Sequence, residues 1–261
     1  MTNVGFTSVN LGSKFDFKFS LKKALNIGDS IKFNLPAGFY FVQPACFHRN
    51  SGTYAIAEAL YNNRMVICKN FQTSMATDIW HEVTIIGVVN PQISGFYRYF
   101  TLETMEGVTT NVKEFITAPT PIEISPGSIT VGRVSGSILL MQNTTHQFDI
   151  IPENEIPDTA QLWIKLPAGF RYLAPNCTLL RPLAAADPNG FVSCGLAENK
   201  TGYIIEGFAG IAAKQSISVL INAENPPKST TYRIQVFSYS KLYQAKIDEA
   251  FHTMSFDSRC N

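Results

Sequence analysis

The five cysteines are the residues of this chain whose spacing points most directly to chemistry. Four of them form two pairs, Cys46 with Cys68 and Cys177 with Cys194, separated by 22 and 17 residues (68 − 46; 194 − 177). One pair lies in each half of the sequence, which predicts one disulfide within each half. A disulfide that closes a loop of this size stabilises a fold by about 3 kcal/mol in the chain-entropy model, and it persists only in an oxidising compartment.

Two other interpretations of the cysteines stay open at the level of sequence. The four paired residues are also compatible with buried free thiols. A zinc site is disfavoured, because the cysteines lack Cys-x-x-Cys spacing and have no matching pair of histidines. The fifth residue, Cys260, is a candidate intermolecular thiol, compatible with a bridge to another chain or with a partner outside this segment.

Three N-glycosylation sequons begin at Asn143, Asn176 and Asn199, all in the second half of the chain. Sequons arise readily by chance in a sequence rich in Asn, Ser and Thr, so each alone is a weak signal. Their presence beside predicted disulfides strengthens it. We expect at least one of the three to carry an N-glycan.

The residues that most often catalyse reactions do not form a pattern here. The four histidines, His48, His81, His146 and His252, neither recur at matching places in the two halves nor cluster with carboxylates along the sequence. The chain also lacks a Gly-x-Ser-x-Gly elbow, a His-Glu-x-x-His motif and a phosphate-binding loop. The sequence therefore predicts a protein that is not an enzyme and has no cofactor and no metal site.

An aromatic group in the first half is the candidate binding surface. It consists of Trp80, Phe96, Tyr97, Tyr99 and Phe100. Such rings can stack on sugars, but aromatic residues at alternating strand positions more often pack in a core or against a neighbouring strand. Both interpretations are kept.

An internal repeat indicates the elements that position these residues. The segment Leu35–Phe39 recurs identically as Leu166–Phe170, an offset of 131 (166 − 35) that Cys46 and Cys177 share. Farther along, Cys68 meets Cys194 at an offset of 126, whereas the Asn-Pro and Tyr-Arg pairs that follow meet their counterparts at 135. An ordered series of this kind indicates a duplication with length changes in the connecting segments.

Both copies alternate apolar and polar residues with a period of two. The pattern covers Phe15–Leu21 and Ser30–Leu35 in the first half, and Gln161–Leu166 and Ser216–Ile221 in the second. It is typical of strands with one buried face, although Ala55–Tyr61 is also compatible with a short helix. Short strands without amphipathic crossover helices predict an all-β fold of two tandem antiparallel immunoglobulin-like β-sandwich domains.

The predicted boundary lies in a stretch with three prolines. Pro119, Pro121 and Pro126 discourage both helix and central strand, and they stiffen a connector. We predict a first β-sandwich module at residues 1–118, a Pro-rich linker at 119–127 and a second module at 128–261.

The composition excludes two classes of partner. The 21 Lys and Arg residues nearly cancel the 20 Asp and Glu residues, so the chain has no basic field to hold a nucleic acid. No run of apolar residues approaches the roughly 18 that a membrane helix needs, so direct membrane insertion is not expected. With 45% hydrophobic residues, the chain can bury a substantial core.

Five features occur in the same order in the chain: a Phe-x-Phe strand, an Ile-x-Phe strand, the Leu-Pro-Ala-Gly-Phe turn, the paired cysteines, and a later Asn-Pro before a Tyr-containing strand. Together they resemble tandem repeats of large extracellular surface or filament proteins of ciliates and other protists. The resemblance implies immunoglobulin-type sandwiches and a structural role, as a repeat segment or subunit of a surface or ciliary fibre with the modules as rigid spacers. Its location would be extracellular or at the cell surface. The alternative is an adhesin or carbohydrate-binding surface module.

The expected partners are other copies of the chain, or neighbouring repeats in a polymer. One route to assembly is strand exchange, for which the apolar segments Val4–Val9 and Ile247–Phe256 are the candidate donors.

Overall fold

The computed structural model describes residues 9, 12–60, 63–98, 100–107, 111–118, 121–181, 183–198 and 201–257. The chain divides into two compact units, Met1–Ser125 and Pro126–Asn261, which we call module 1 and module 2. Throughout the described residues, every extended regular element is a β-strand, and each module is a long curled sheet that packs on itself as a β-sandwich. The predicted all-β, two-sandwich fold is confirmed.

Module 1 is built from the first ten strands. They are β1 (Gly12–Ser20), β2 (Ser30–Asn34), β3 (Tyr40–His48), β4 (Thr53–Leu60), β5 (Met65–Lys69), β6 (Trp80–Val89), β7 (Gly95–Tyr97), β8 (Thr101–Met105), β9 (Val112–Thr117) and β10 (Ile122–Ile124). The main sheet has the order β1-β6-β3-β4-β5-β2-β8-β9, and β10 pairs with β7. The first residues of β4 pair with β3 and the later ones with β5, so β4 passes from one layer of the sandwich to the other.

Module 2 is built from the remaining nine strands. They are β11 (Gly127–Ser135), β12 (Asn143–Pro152), β13 (Ala160–Lys165), β14 (Arg171–Leu179), β15 (Ser193–Leu196), β16 (Tyr203–Glu206), β17 (Ile217–Glu224), β18 (Thr231–Ser240) and β19 (Ala245–Ser255). Their order is β14-β17-β12-β11-β19-β18-β13-β16-β15. Here β11 joins the layers, because it pairs antiparallel with β12 and parallel with β19.

Alternation along β1 shows how the sequence sets the two faces of a strand. Phe15, Phe17 and Phe19 are buried, whereas Lys14 before them and Lys18 between them are exposed. Successive side chains of a strand point to opposite faces, so a single register buries all three rings. Each buried ring contributes about 1.5–3 kcal/mol of hydrophobic stabilisation.

The segment Ala55–Tyr61, which is compatible with a helix by composition, is a strand as far as the structure describes it. Thr53–Leu60 form β4, with Ala55 buried and Ala57 and Ala59 packed against the core. Packing of these alanines on the core outweighs their helix propensity. In the part of the chain that the structure describes, no helix has the length and hydropathy needed to span a membrane.

The segment predicted as a linker, residues 119–127, belongs largely to module 1. Ile122–Ile124 form β10, and both isoleucines are buried in the module 1 core. In module 2 the equivalent residues are Met254–Phe256, because Ile122 pairs with Tyr97 as Met254 pairs with Tyr232. Pro121 therefore directly precedes a strand of module 1, and the change of module falls between Ser125 and Pro126.

A β-bulge at Gly87 explains one change of offset between the modules. Pairing of β1 with β6 skips Gly87, whereas the equivalent strands β12 and β17 pair without interruption. Gly87 has a φ of 80°, and a Cβ there would overlap the carbonyl oxygen of Val42, so only glycine fits. This insertion lies inside a strand, whereas the sequence comparison assigned such changes to loops.

The C-terminal segment Ile247–Phe256 is an integral part of module 2. Residues 245–255 form β19, which pairs with β18 along its length. In module 1, Val9 is buried and its N–H donates to the carbonyl of Ser125 at 3.1 Å. Residues 4–8 lie outside the described residues.

Candidate functional site

Each module contains one disulfide. Cys46 on β3 is bonded to Cys68 on β5, with the two Cα atoms 5.9 Å apart, and both residues are fully buried. Cys177 on β14 is bonded to Cys194 on β15, with Cα atoms 5.8 Å apart. Both bonds therefore tie together strands of the two facing layers.

The second cysteines of the two bonds do not occupy equivalent positions, although the sequence comparison matched them. Cys68 lies directly opposite Ala57 on β4, and Cys194 lies directly opposite Ile205 on β16. Strand pairing makes β4 equivalent to β15 and β5 equivalent to β16, so the cysteine has moved to the neighbouring strand. Directly opposed Cβ atoms are only about 4.5–5.5 Å apart, so either position can reach the cysteine on the facing layer.

The Leu-Pro-Ala-Gly-Phe motif of module 1 packs against the other repeated landmarks of that module. The rings of Phe39 and Tyr97 meet edge to face at 5.1 Å, and Gly38 lies against Pro91. The Tyr97 hydroxyl donates to the carbonyl of Ile93 at 2.9 Å. A tyrosine bonded to the backbone a few residues upstream is a hallmark of immunoglobulin-type sandwiches.

Module 2 repeats this aromatic corner. Phe170 meets Tyr232 edge to face at 5.7 Å, Gly169 lies against Pro226, and the Tyr232 hydroxyl donates to the carbonyl of Lys228 at 3.3 Å. The repeated Phe, Gly, Pro and Tyr landmarks therefore pack together in both modules. Their role is structural.

The aromatic group predicted as a sugar platform is not assembled on one surface. Phe100 is fully buried, and the Tyr97 ring packs in the corner. Trp80 and Phe96 are exposed, and the Trp80 ring lies beneath the Lys18 ammonium, whose nitrogen is 5.6 Å from the ring centroid. Tyr99 lies outside the described residues.

The sequons and the odd cysteine are only partly described. Asn143 is exposed at the start of β12, where a glycan would extend into solvent. The backbone of Asn176 lies in β14, but its side chain, like Asn199 and Cys260, is outside the described part of the structure.

Three of the four histidines are buried within the sandwiches, and His252 is partly buried. His48 and His81 are both buried in module 1, with ring centroids 6.0 Å apart. In module 2, His146 is buried and its Nε2 lies 2.8 Å from Oδ1 of Asn225. Among the described residues, no three His, Cys, Asp or Glu side chains are placed to hold a metal ion.

We expect acid to destabilise module 1 through His48. Burial, together with the nearby imidazole of His81, lowers the pKa of His48. The unfolded chain therefore binds more protons, so the free energy of unfolding falls as the pH drops below about 6.5 and levels off below the folded-state pKa. Urea unfolding at a series of pH values measures this dependence. The His48→Gln variant should have a shallower pH dependence than the wild type; equal slopes would contradict the assignment.

The outer face of module 2 carries an aromatic pair that the sequence patterns did not single out. Trp163 on β13 and Phe237 on β18 are directly opposed, and their rings are nearly parallel, 8° apart with centroids at 5.8 Å. The Trp163 indole N–H donates to Oε1 of Gln161 at 3.0 Å. The Lys165 ammonium lies over both rings, 5.6 Å and 5.3 Å from their centroids.

A hollow of about 470 Å³ lies beside Trp163. It is open to solvent, and its lining comes from β13, β15 and β16 and from the residues that follow β15. The lining residues are Gln161, Trp163, Ser193, Cys194, Gly195, Leu196, Ala197, Glu198, Ile204 and Glu206. Hydrogen bonds from Gln161 and Lys241 lower the pKa of Glu206, so this carboxylate is ionised at neutral pH.

The equivalent surface of module 1 is filled by ion pairs. Strand pairing places Lys32 and Glu103 where module 2 has Trp163 and Phe237, and Lys32 forms a salt bridge with Glu103. Glu58, the equivalent of Gly195, is paired with Lys69. The two modules share a fold, but the same face is charged in one and aromatic with a hollow in the other.

Comparison with known proteins does not assign a family. No family model matches the chain, and no curated protein matches it. Solved structures similar to it include a bacterial hydrophobin, BslA, at 12% identity and a TM-score of 0.33, over 50% of this chain and 98% of that one. The C-terminal domain of the Streptococcus pyogenes antigen I/II-family protein AspA is 8% identical with a TM-score of 0.33, over 96% of this chain and 95% of that one.

A third similar structure is the C-terminal domain of the Streptococcus agalactiae AgI/II polypeptide BspA. It is 8% identical with a TM-score of 0.32, over 95% of this chain and 94% of that one. Because the identities and TM-scores are this low, the functions of these proteins are not transferred to this chain.

Proposed function

We propose that the chain is a structural segment of an extracellular surface protein, with its two disulfide-bonded sandwiches acting as spacers. The observation that carries the proposal is that each module has its own disulfide between facing layers. Structural disulfides are typical of proteins that work in an oxidising environment and rare in the cytosol.

The tandem arrangement supports a spacer role. The last strand of module 1 ends at Ile124 and the first strand of module 2 begins at Gly127, so two similar sandwiches follow each other with two residues between their strands. Repetition of one module over a short connection is a common way to build an extended surface protein. A surface or ciliary fibre is the specific setting that we propose.

Two measurements on protein from its native source test the location. Peptide mapping without reduction should recover Cys46 linked to Cys68 and Cys177 linked to Cys194. A membrane-impermeant amine label should mark the chain on intact cells. Free thiols at these four positions, or labelling only after lysis, would refute an extracellular location.

The fibre role has its own test. Light scattering over a range of concentrations and negative-stain electron microscopy should show assembly of the full chain. A strictly monomeric protein with no filaments would leave a surface location standing but would rule out self-assembly. An adhesive role for the same scaffold is equally consistent with the fold, because sandwiches display binding sites as readily as they act as spacers.

A further inference from the structure

We propose that the hollow beside Trp163 binds a carbohydrate, with a neutral pyranose ring stacked on the indole. The site goes beyond a spacer role and belongs to module 2 alone. It combines an aromatic wall, a floor of small residues and a fixed carboxylate.

The indole supplies the stacking wall. Trp163 has two cross-strand neighbours, Phe237 on one side and Ile204 on the other. The Phe237 ring is stacked nearly parallel to the indole, and Trp163 and Ile204 both line the hollow. A rigid ring that is already held on one face loses little conformational entropy when a flat apolar ligand surface packs on the other.

The floor of the hollow exists because β15 and the residue after it have small outward side chains. Ser193, Gly195 and Ala197 border the hollow. Their equivalents on β4 of module 1 are Ile56, Glu58 and Leu60, as the pairing with β5 and β16 shows. Because these side chains are small, they leave a hollow whose volume lies within the range of known small-ligand sites.

Polar groups around the indole suit hydroxyl ligands. Glu206 accepts hydrogen bonds from Gln161 at 2.9 Å and from Lys241 at 2.6 Å, which hold the carboxylate in place. A carboxylate has about four lone-pair positions, so Glu206 can accept further hydrogen bonds from sugar hydroxyls. Carboxylate–hydroxyl bonds are charge-assisted and stronger than neutral ones.

The charges around the hollow balance, which suits a neutral ligand, because Lys165 and Lys241 accompany the two lining carboxylates, Glu198 and Glu206. Lys165 lies over the aromatic pair and Lys241 neutralises Glu206. A quaternary ammonium or lysine ligand would be repelled by both ammonium groups, and the described lining offers it a single aromatic ring, that of Trp163. A pyranose has one apolar face for the indole and hydroxyls at its rim for Glu206.

The test begins with a glycan array that is probed with the full chain, biotinylated and displayed on streptavidin. The glycan that gives the strongest binding is then titrated with the soluble protein. We expect binding to at least one glycan class. Trp163→Ala removes the stacking wall, and Gly195→Glu introduces the module 1 residue into the hollow. A Cβ atom at Gly195 would meet no atom within 4 Å, so we expect this variant to fold normally.

Each variant should weaken binding roughly tenfold or more, the loss expected when one main contact of about 1.4 kcal/mol is removed. Trp80→Ala is the matched control, because it removes the exposed tryptophan of module 1 and should leave affinity unchanged. Unchanged thermal unfolding of the Gly195→Glu variant separates loss of the site from loss of the fold. An array without binding, or binding that survives Trp163→Ala and Gly195→Glu, would overturn the proposal.

Discussion

The Cys68→Ala variant should lose about 3 kcal/mol in the free energy of unfolding of module 1, and adding Ala57→Cys should restore most of it. The loss follows from the loop of 22 residues that the native disulfide closes. The rescue follows from module 2, where the second cysteine occupies the position equivalent to Ala57. Urea unfolding gives the free energies, and peptide mapping without reduction identifies a bond from Cys46 to the new cysteine.

A cysteine placed farther along β4 provides the control for this rescue. Ala59→Cys combined with Cys68→Ala introduces the same group two positions away, a shift of about 6–7 Å along the strand. This variant should keep two free thiols and the full loss of stability. The exchange of cysteine positions between the modules would be refuted if the Ala57 and Ala59 variants behaved alike.

Phe39→Ala should destabilise module 1 by about 3–5 kcal/mol, because a large buried ring is replaced by a cavity. Phe39 is 1% exposed, and its ring contacts those of Phe15, Tyr97 and Phe100 at 5.9, 5.1 and 5.2 Å. Thermal and urea unfolding of the full chain, with both disulfides intact, measure the change.

The equivalent change in module 2, Phe170→Ala, should lower the free energy of unfolding by less than Phe39→Ala does in module 1. Phe170 is only partly buried, so less apolar surface is returned to water when the ring is removed. Phe39→Leu keeps most of the volume and should cost less than either alanine variant. A loss at Phe170 equal to or larger than that at Phe39 would contradict the assignment of Phe39 to the core.

Local patterns predicted the strands well, because burial on one face leaves a direct trace in sequence. The Phe-x-Phe-x-Phe alternation of β1 predicted both the strand and its buried face. In the motif Leu35–Phe39, Pro and Gly turn the chain before the phenylalanine enters the core.

Features that depend on neighbouring strands were not predictable in the same way. The sequence comparison matched Cys68 to Cys194 because they are the same residue type in the same order, whereas strand pairing equates Cys68 with Ile205. The prolines around residue 120 predicted a connector, but Ile122–Ile124, directly after Pro121, form a strand that pairs with β7 of module 1.

The hollow beside Trp163 was missed for a related reason. It is defined by small side chains on β15 and by cross-strand neighbours that are distant in sequence, such as Ile204 and Phe237. The sequence did contain a signal, because the 131-residue offset aligns Trp163 with Lys32 of the first copy. A tryptophan in place of a charged residue on the solvent-facing side of a strand marks a surface that differs between the copies.

The short passage from β10 to β11 has a mechanical consequence. Tension applied to the chain reaches Gly127 almost without slack, since Ser125 and Pro126 alone separate the two strands and an extended residue spans about 3.5 Å. Within module 2, the load enters at the start of β11 and leaves at the end of β19, and these strands are paired in parallel. Pulling them in opposite directions shears their hydrogen bonds together instead of opening them one by one, an arrangement suited to a module that bears force.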